Sequence, residues 1–206
     1  MSSKLDFKKE LASYRAKRGE FEVLHLPALQ YLMIDGQGDP NASTEFSASI
    51  EALYPVAYKL KFLSKIELGR DYVVPPLEGL WWADDLRSFS SRRDKATWKW
   101  TLMLMLPAWL GTEHVERVRE QLRVKNPVER LDDIRVQLLA EGLCVQTLHV
   151  GSFDDEGPVI EKMHTEAIAD AGLKLAGKHH EIYLNDFRRT DRDKLRTILR
   201  QPVQTR

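Results

Sequence analysis

The sequence predicts an α+β fold made of two tandem strand-helix-strand-strand repeats related by a pseudo-two-fold axis. Its sheets are antiparallel, with helices on one face and a ligand cleft on the other. Three observations carry this prediction. The order strand, Gly/Pro-rich loop, helix, strand, strand occurs twice along the chain. The stretches after each loop space their apolar residues at helical intervals, whereas those before it read as strands. The repeats are set apart by a polar stretch with helical signals, which predicts an arm over residues 1–20, a first repeat over 21–110, a helical insert over 111–142 and a second repeat over 143–203.

The arm is polar and lysine-rich, with Phe7, Leu11 and Tyr14 at the spacing of a weak amphipathic helix. Pro27 separates a partly alternating run at 21–26 from a strand at 30–35, and the turn-rich segment 36–41 follows. Ser43 or Thr44 can cap a helix whose apolar face is Phe46, Ile50, Leu53, Ala57, Leu60 and Leu63, with Pro55 predicting a kink or break inside it. Residues 72–82 and 98–106 follow, the second a strand, and the polar residues 84–95 connect them. A second helix begins after Gly111 and stops at Asn126-Pro127, and a third is expected over 128–139. The pattern then restarts. A strand at 143–150 precedes an acidic Gly/Pro loop, a helix carrying Val159, Met163, Ala167 and Ala171, and two strands at 180–184 and 195–199. Tyr31 to Gly36 matches Thr147 to Ser152 in position.

Lys+Arg 31 balances Asp+Glu 31, which argues against the concentrated basic surface that nucleic acid or anionic lipid requires. With 43% hydrophobic and 30% charged residues, a packed core is attainable. The longest apolar stretch, residues 102–110, is too short to cross a bilayer, and the N-terminus lacks a secretory pattern. A cytoplasmic protein is expected. The single cysteine, Cys144, excludes an internal disulfide and reads as a small buried residue. No phosphate loop, dinucleotide fingerprint or nucleophile elbow is present. The adjacent His179 and His180 point apart on a strand, and Glu161 with His164 supplies only two ligands. No metal and no cofactor are expected.

The informative position is Glu181. Strand alternation puts it on one face with Tyr183, while His180, Ile182 and Leu184 face the other way. A carboxylate in an aromatic cleft can neutralise a cation, orient a polar ligand or act as a general acid or base. The same residue can equally face water or pair with a lysine or arginine. Trp81, Trp82, Trp98 and Trp100 cluster in sequence, and Met103 and Met105 alternate with Leu102, Leu104 and Leu106. Rigid rings and adaptable thioethers suit flat apolar ligands, and equally suit an ordinary core. Trp81 and Trp82, being adjacent, cannot share a face. Tyr54 and Tyr58 lie one helical turn apart beside Pro55, within reach of a cleft or edging the core. Hydrophobic or aromatic small molecules are therefore the expected partners, and no protein partner is indicated.

The run Val74-Pro75-Pro76-Leu77-Glu78-Gly79-Leu80-Trp81-Trp82, followed by His180-Glu181-Ile182-Tyr183-Leu184-Asn185-Asp186, Arg188-Arg189-Thr190 and residues 194–203, resembles the GyrI-like small-molecule-binding family. The likeness extends from about Phe21 to Val203 and implies the same doubled repeat with a groove at its junction. In related transcription factors the module is joined to a DNA-binding domain and takes lipophilic cationic drugs through an acidic residue. This chain resembles the stand-alone branch, some of whose members are implied to hydrolyse electrophilic cyclopropane-bearing compounds. The resemblance places the acidic pocket residue at Glu181, the phenol at Tyr183 and the aromatic wall at Trp81 or Trp82. It implies either a hydrolase with Glu181 as general base or a non-catalytic drug-sequestering protein. Phe187 departs from the small residue or proline of many relatives.

Overall fold

The computed structural model describes residues 4–83, 95–125 and 127–206. All but Lys95 of the connection expected over 84–95, and Asn126, lie outside the described residues. Nine strands among the described residues form one sheet: β1 (Glu22–Leu26), β2 (Leu29–Gln37), β3 (Leu77–Trp82), β4 (Lys99–Met105), β5 (Arg135–Leu139), β6 (Gly142–Val150), β7 (Leu173–Leu175), β8 (His179–Tyr183) and β9 (Arg196–Thr205). The spatial order is β1-β6-β9-β8-β3-β4-β2-β5, with β7 paired to β9, and every ladder is antiparallel. The triplets β6-β9-β8 and β3-β4-β2 therefore mirror one another in chain order about the β3–β8 seam. The two repeats form a single continuous sheet, because β3 and β8 complete each other's hydrogen bonding instead of ending as open edges.

The long helix α2 (Thr44–Glu67) starts where the Ser43 hydroxyl accepts the Phe46 amide, and its inward stripe includes Ile50, Leu53, Ala57 and Leu60. It runs unbroken through Pro55. The proline removes the donor for the Glu51 carbonyl, and both residues border an open cavity where water can replace that bond. A short α1 (Phe7–Glu10) forms in the arm, and α3 (Thr112–Lys125) packs on α2. The third helix expected over 128–139 is not formed. Arg130 adopts a left-handed conformation at φ 62, one 3-10 turn follows at Leu131–Asp133, and Arg135 to Leu139 pair with the free edge of β2 as β5. An exposed strand edge outcompeted a weak local preference. The second repeat's helix runs as α4 (Gly157–Lys162), a π turn at Met163–Ala167, and α5 (Ile168–Asp170).

The helices cover one face of the sheet. Leu32, Ile34, Trp100, Leu102 and Leu104 pack against α2, and Val145 and Leu199 pack against Met163 and Ile168. The other face, where the sequence placed the cleft, is occupied by the arm: Tyr14 packs on Leu148, Ile182 and Ile198, with Phe7 and Leu11 beside it. One cavity opens on the helix side, and a smaller one of about 360 Å³ opens on the arm side beside Leu80, Glu141 and Lys178. The match of Tyr31 with Thr147 is also out of phase. Tyr31 lies on the arm side with Met33, and Thr147 shares the helix side with Val145. A one-residue slip exchanges the faces of a whole strand.

Candidate functional site

On β8 the helix-facing residues are His179, Glu181 and Tyr183, and across the ladder stand Trp81, Gly79 and Leu77 respectively. The Tyr183 hydroxyl donates to Glu181 Oε2 at 2.8 Å and accepts from Trp81 Nε1–H at 3.0 Å. Gly79 makes this pairing possible. A Cβ there would stand 2.8 Å from Trp81 Nε1 and 3.0 Å from the Tyr183 hydroxyl, displacing one of them. Rings enclose the group. Phe153 and Phe187 meet the edge of Tyr183 at centroid distances of 5.6 and 5.7 Å, and Phe46 and Trp98 flank Trp81 at 6.1 and 5.8 Å.

Burial makes the carboxylate of Glu181 costly to ionise and pushes its pKa up to about 7. The Tyr183 hydrogen bond and the positive charges of His180 and Lys95 oppose that shift without cancelling it. Its side chain is 14% exposed, so the acid is sheltered but reachable. Burial also drives His179 down to about 3, assisted by the neighbouring His164 and His180, so its imidazole is neutral. Tyr183 is shifted upward, first by burial and then by the adjoining Glu181, and stays a phenol.

Beside this cluster lies a cavity of about 540 Å³ between α2 and the segment following β8. Tyr54, Tyr58, Pro76, Tyr183 and Phe187 contribute to its wall. Glu181 does not line it; the carboxylate sits behind Tyr183. The Tyr54 and Tyr58 rings stack at 6.2 Å, and the Arg188 guanidinium lies 5.6 Å from the Tyr54 ring while binding Asp186.

The structure brings together Glu181, Tyr183 and Trp81, and sets Tyr54 and Tyr58 along the adjoining cavity. Of the remaining candidates, Trp82, Met103 and Met105 lie on the opposite face, and Trp100 stands across the β3–β4 ladder from Trp81. Trp82 points to the arm side, where the Lys178 ammonium sits 3.2 Å above its ring. Met103 and Met105 also face the arm side, packed with Tyr31, Met33 and Leu80. Trp100 is on the helix side but fully buried, with Phe46 across its edge and Gly36 beneath it. Trp100, Met103 and Met105 belong to the core because β4 is central and both its faces are covered, whereas Trp82 ends β3 half-buried. Phe153, Phe187 and His179 were not singled out as pocket residues from the sequence. Strand periodicity alone marks His179 as sharing the face of Glu181, whereas the two phenylalanines lie in loops and carry no such signal.

Directly behind Glu181, the arm side of the same strands holds a buried charged network. His180 lies between Glu78 and Glu141, 2.9 Å from each, and Arg200 donates to Glu141 at 2.9 Å, Gln146 at 3.2 Å and the Ser13 carbonyl at 2.6 Å. Tyr14 donates to the second oxygen of Glu78 at 2.6 Å. Burial opposes ionisation of Glu141, yet His180 and Arg200 outweigh it and hold its pKa at about 2. Among the described residues no cluster of three metal-ligating side chains occurs, and no helix is long and apolar enough to cross a membrane.

Fold and site together define a doubled-repeat α+β module with an aromatic enclosure beside an open cavity. The sequence matches the GyrI-like small molecule binding domain over residues 112–204. The fold is similar to that of an uncharacterized conserved protein from Listeria innocua, with 36% identity and a TM-score of 0.89, over 98% of this chain and 100% of that one. It is also similar to a hydrolase from Listeria innocua, with 35% identity and a TM-score of 0.84 over the same shares. The C-terminal domain of EcmrR shares the fold alone, at 13% identity and a TM-score of 0.53, over 91% of this chain and 98% of that domain. No curated protein matches. This chain belongs to the GyrI-like small-molecule-binding family.

Proposed function

We propose that this protein binds flat hydrophobic molecules in its aromatic cleft and hydrolyses electrophilic cyclopropane-bearing toxins, with Glu181 as the general base. One observation carries the reading: Glu181 is a sheltered carboxylate with a pKa of about 7, fixed by Tyr183 and ringed by aromatic side chains. A base of that strength is about half ionised at neutral pH, close to the optimum for accepting a proton from water. The relative described as a hydrolase lends further support.

Ring opening needs little beyond this. The water oxygen forms a bond to the ring methylene, the strained carbon–carbon bond breaks, and its electron pair moves through the conjugated system to the carbonyl oxygen. The proton lost by water passes to Glu181, and the new oxyanion takes a proton, so the net change is addition of one water. Tyr183 already donates to Glu181, so the developing oxyanion is better served by Tyr54, whose phenol is kept neutral chiefly by burial.

The test is turnover of a spirocyclopropyl cyclohexadienone followed by mass spectrometry. Wild type should yield a product heavier by one water, while Glu181→Gln should bind the compound and leave its mass unchanged. Full turnover by Glu181→Gln would refute the role of the acid. A second reading, sequestration of lipophilic cations, draws on the same buried carboxylate among rings. It predicts that Glu181→Gln weakens binding of a planar cation far more than of its neutral isostere, with no mass change in wild type.

A further inference from the structure

The helix α2 is apolar on two sides. Its inner stripe packs on the sheet, but Tyr58, Phe62 and Ile66 recur every four residues on the outer side, 49, 53 and 78% exposed. The other large exposed apolar residues do not align: Val23, Val124, Leu138 and Leu175 stand on four different elements, and Leu68 caps the end of α2. Single exposed apolar residues are ordinary, whereas a contiguous row marks an interaction surface. The row also carries opposite charges at its two ends. At 3.6 residues per turn, Glu51, Tyr54, Tyr58, Phe62 and Lys65 fall within an arc of about 80°. Glu51 is exposed. Lys65 is half exposed and stands 3.5 Å from Asp71, which Lys61 holds more closely.

We propose that this outer face of α2 is a dimer interface, covered by α2 of a second copy of this chain running antiparallel about a two-fold axis at Tyr58. Glu51 and Lys65 lie equally far before and after Tyr58, about 10 Å along the helix, and Tyr54 and Phe62 are likewise equidistant. A two-fold axis there brings Glu51 to the partner's Lys65 twice and Tyr54 to the partner's Phe62 twice, with the two Tyr58 rings meeting at the axis. A parallel pair would set glutamate against glutamate and lysine against lysine, so charge selects the antiparallel arrangement. The occupant is a second copy because the pattern is its own complement, a symmetry that an unrelated partner does not require. Tyr54, Tyr58 and Glu51 also border the open cavity, so the second copy comes to its rim and narrows the opening. The interface is independent of the hydrolytic reading.

Sedimentation equilibrium of the full chain tests this. One helix pair buries less than a standard interface, so wild type should dimerise with a Kd of about 1–100 µM. Phe62→Asp should weaken association by at least about tenfold. Glu51→Lys and Lys65→Glu should each weaken it about three- to thirtyfold, because each sets like charges against one another at both ends. Combining the two reverses both pairs, and the double variant should return to within about threefold of wild type. Wild type with the mass of a single chain up to about 200 µM overturns the proposal. A dimer that Phe62→Asp leaves intact lies on another face and overturns it as well. So does a double variant that associates no more tightly than either single one. The three substituted side chains are exposed, and a circular dichroism melt checks that each variant is folded. If Phe62→Asp is not, the charge-reversal series decides alone.

Discussion

His180 Nε2 stands 2.9 Å from Glu78 Oε2 across the β3–β8 ladder, on the face of the strand opposite to Glu181. The residue adjoining the candidate base in sequence is thus fixed in a charged network that ties β3, β8 and β9 to the arm. Two consecutive residues divide the labour of one strand: His180 anchors it and Glu181 faces the enclosure. The anchored side fixes the position of the other, and the positive charge of His180 restrains the upward shift of Glu181.

Burial of Glu181 opposes folding when the acid is ionised. Its folded pKa of about 7 exceeds the ordinary 4.5, so the folded state holds more protons between those values and stability falls as pH rises through them. Glu181→Gln removes that penalty. It should stabilise the protein by on the order of 3 kcal/mol at about pH 8 and have little effect at about pH 4. Urea midpoints at the two pH values check this; equal gains at both would contradict it.

Tyr183→Phe deletes the donor to Glu181 and leaves Trp81 Nε1–H without its acceptor. Because that hydrogen bond lowers the pKa of Glu181, its loss should move the rising limb of the pH–rate profile to higher pH. The orphaned indole N–H should cost about 1–3 kcal/mol of stability. An unmoved limb in the profile would exclude Tyr183 as the partner that sets the acid.

Arg200 satisfies Glu141, Gln146 and the arm carbonyl of Ser13 at once. Arg200→Met should destabilise by about 3–5 kcal/mol, since it strands a buried carboxylate. Glu141 has a depressed folded pKa of about 2, so its contribution is complete above the ordinary 4.5 and is lost as pH falls through 2. Wild-type stability should therefore decline over that acid window, and Glu141→Gln should flatten the decline. Denaturant titrations across the window measure both.

Gly36→Ala places a methyl group inside the Trp100 ring, which is fully buried and flanked by Phe46. The central sheet cannot yield there, and a loss of at least about 1–3 kcal/mol is expected. Gly79→Ala meets the Trp81 indole N–H and the Tyr183 hydroxyl instead, so it should break their hydrogen bond and lower both ligand affinity and, by less than Gly36→Ala, the thermal midpoint. Melting curves paired with binding isotherms separate the two.

Much of the architecture was legible because alternation and helical spacing are local. They revealed the doubled element order, the stripe Ile50-Leu53-Ala57-Leu60 and the common face of Glu181 and Tyr183. The expected helix over 128–139 failed where local preference met a free strand edge at β2. Met103 and Met105 suit a ligand wall and a core alike, because composition names a suitable lining without saying which layer it faces; the structure packs them on the arm side.

Periodicity by itself determined that Trp81 and Trp82 oppose one another, that Glu181 opposes His180, and that each pair is split between two layers. Which layer carries the aromatic enclosure was decided only by the tertiary structure. The arm covers one side of the seam with Tyr14 and a closed charge network, while the helices leave an aromatic enclosure and a cavity on the other. The physical reason is range: faces follow from backbone geometry between neighbouring residues, but desolvation and partners follow from what distant segments bring, and those alone set the acidity of Glu181.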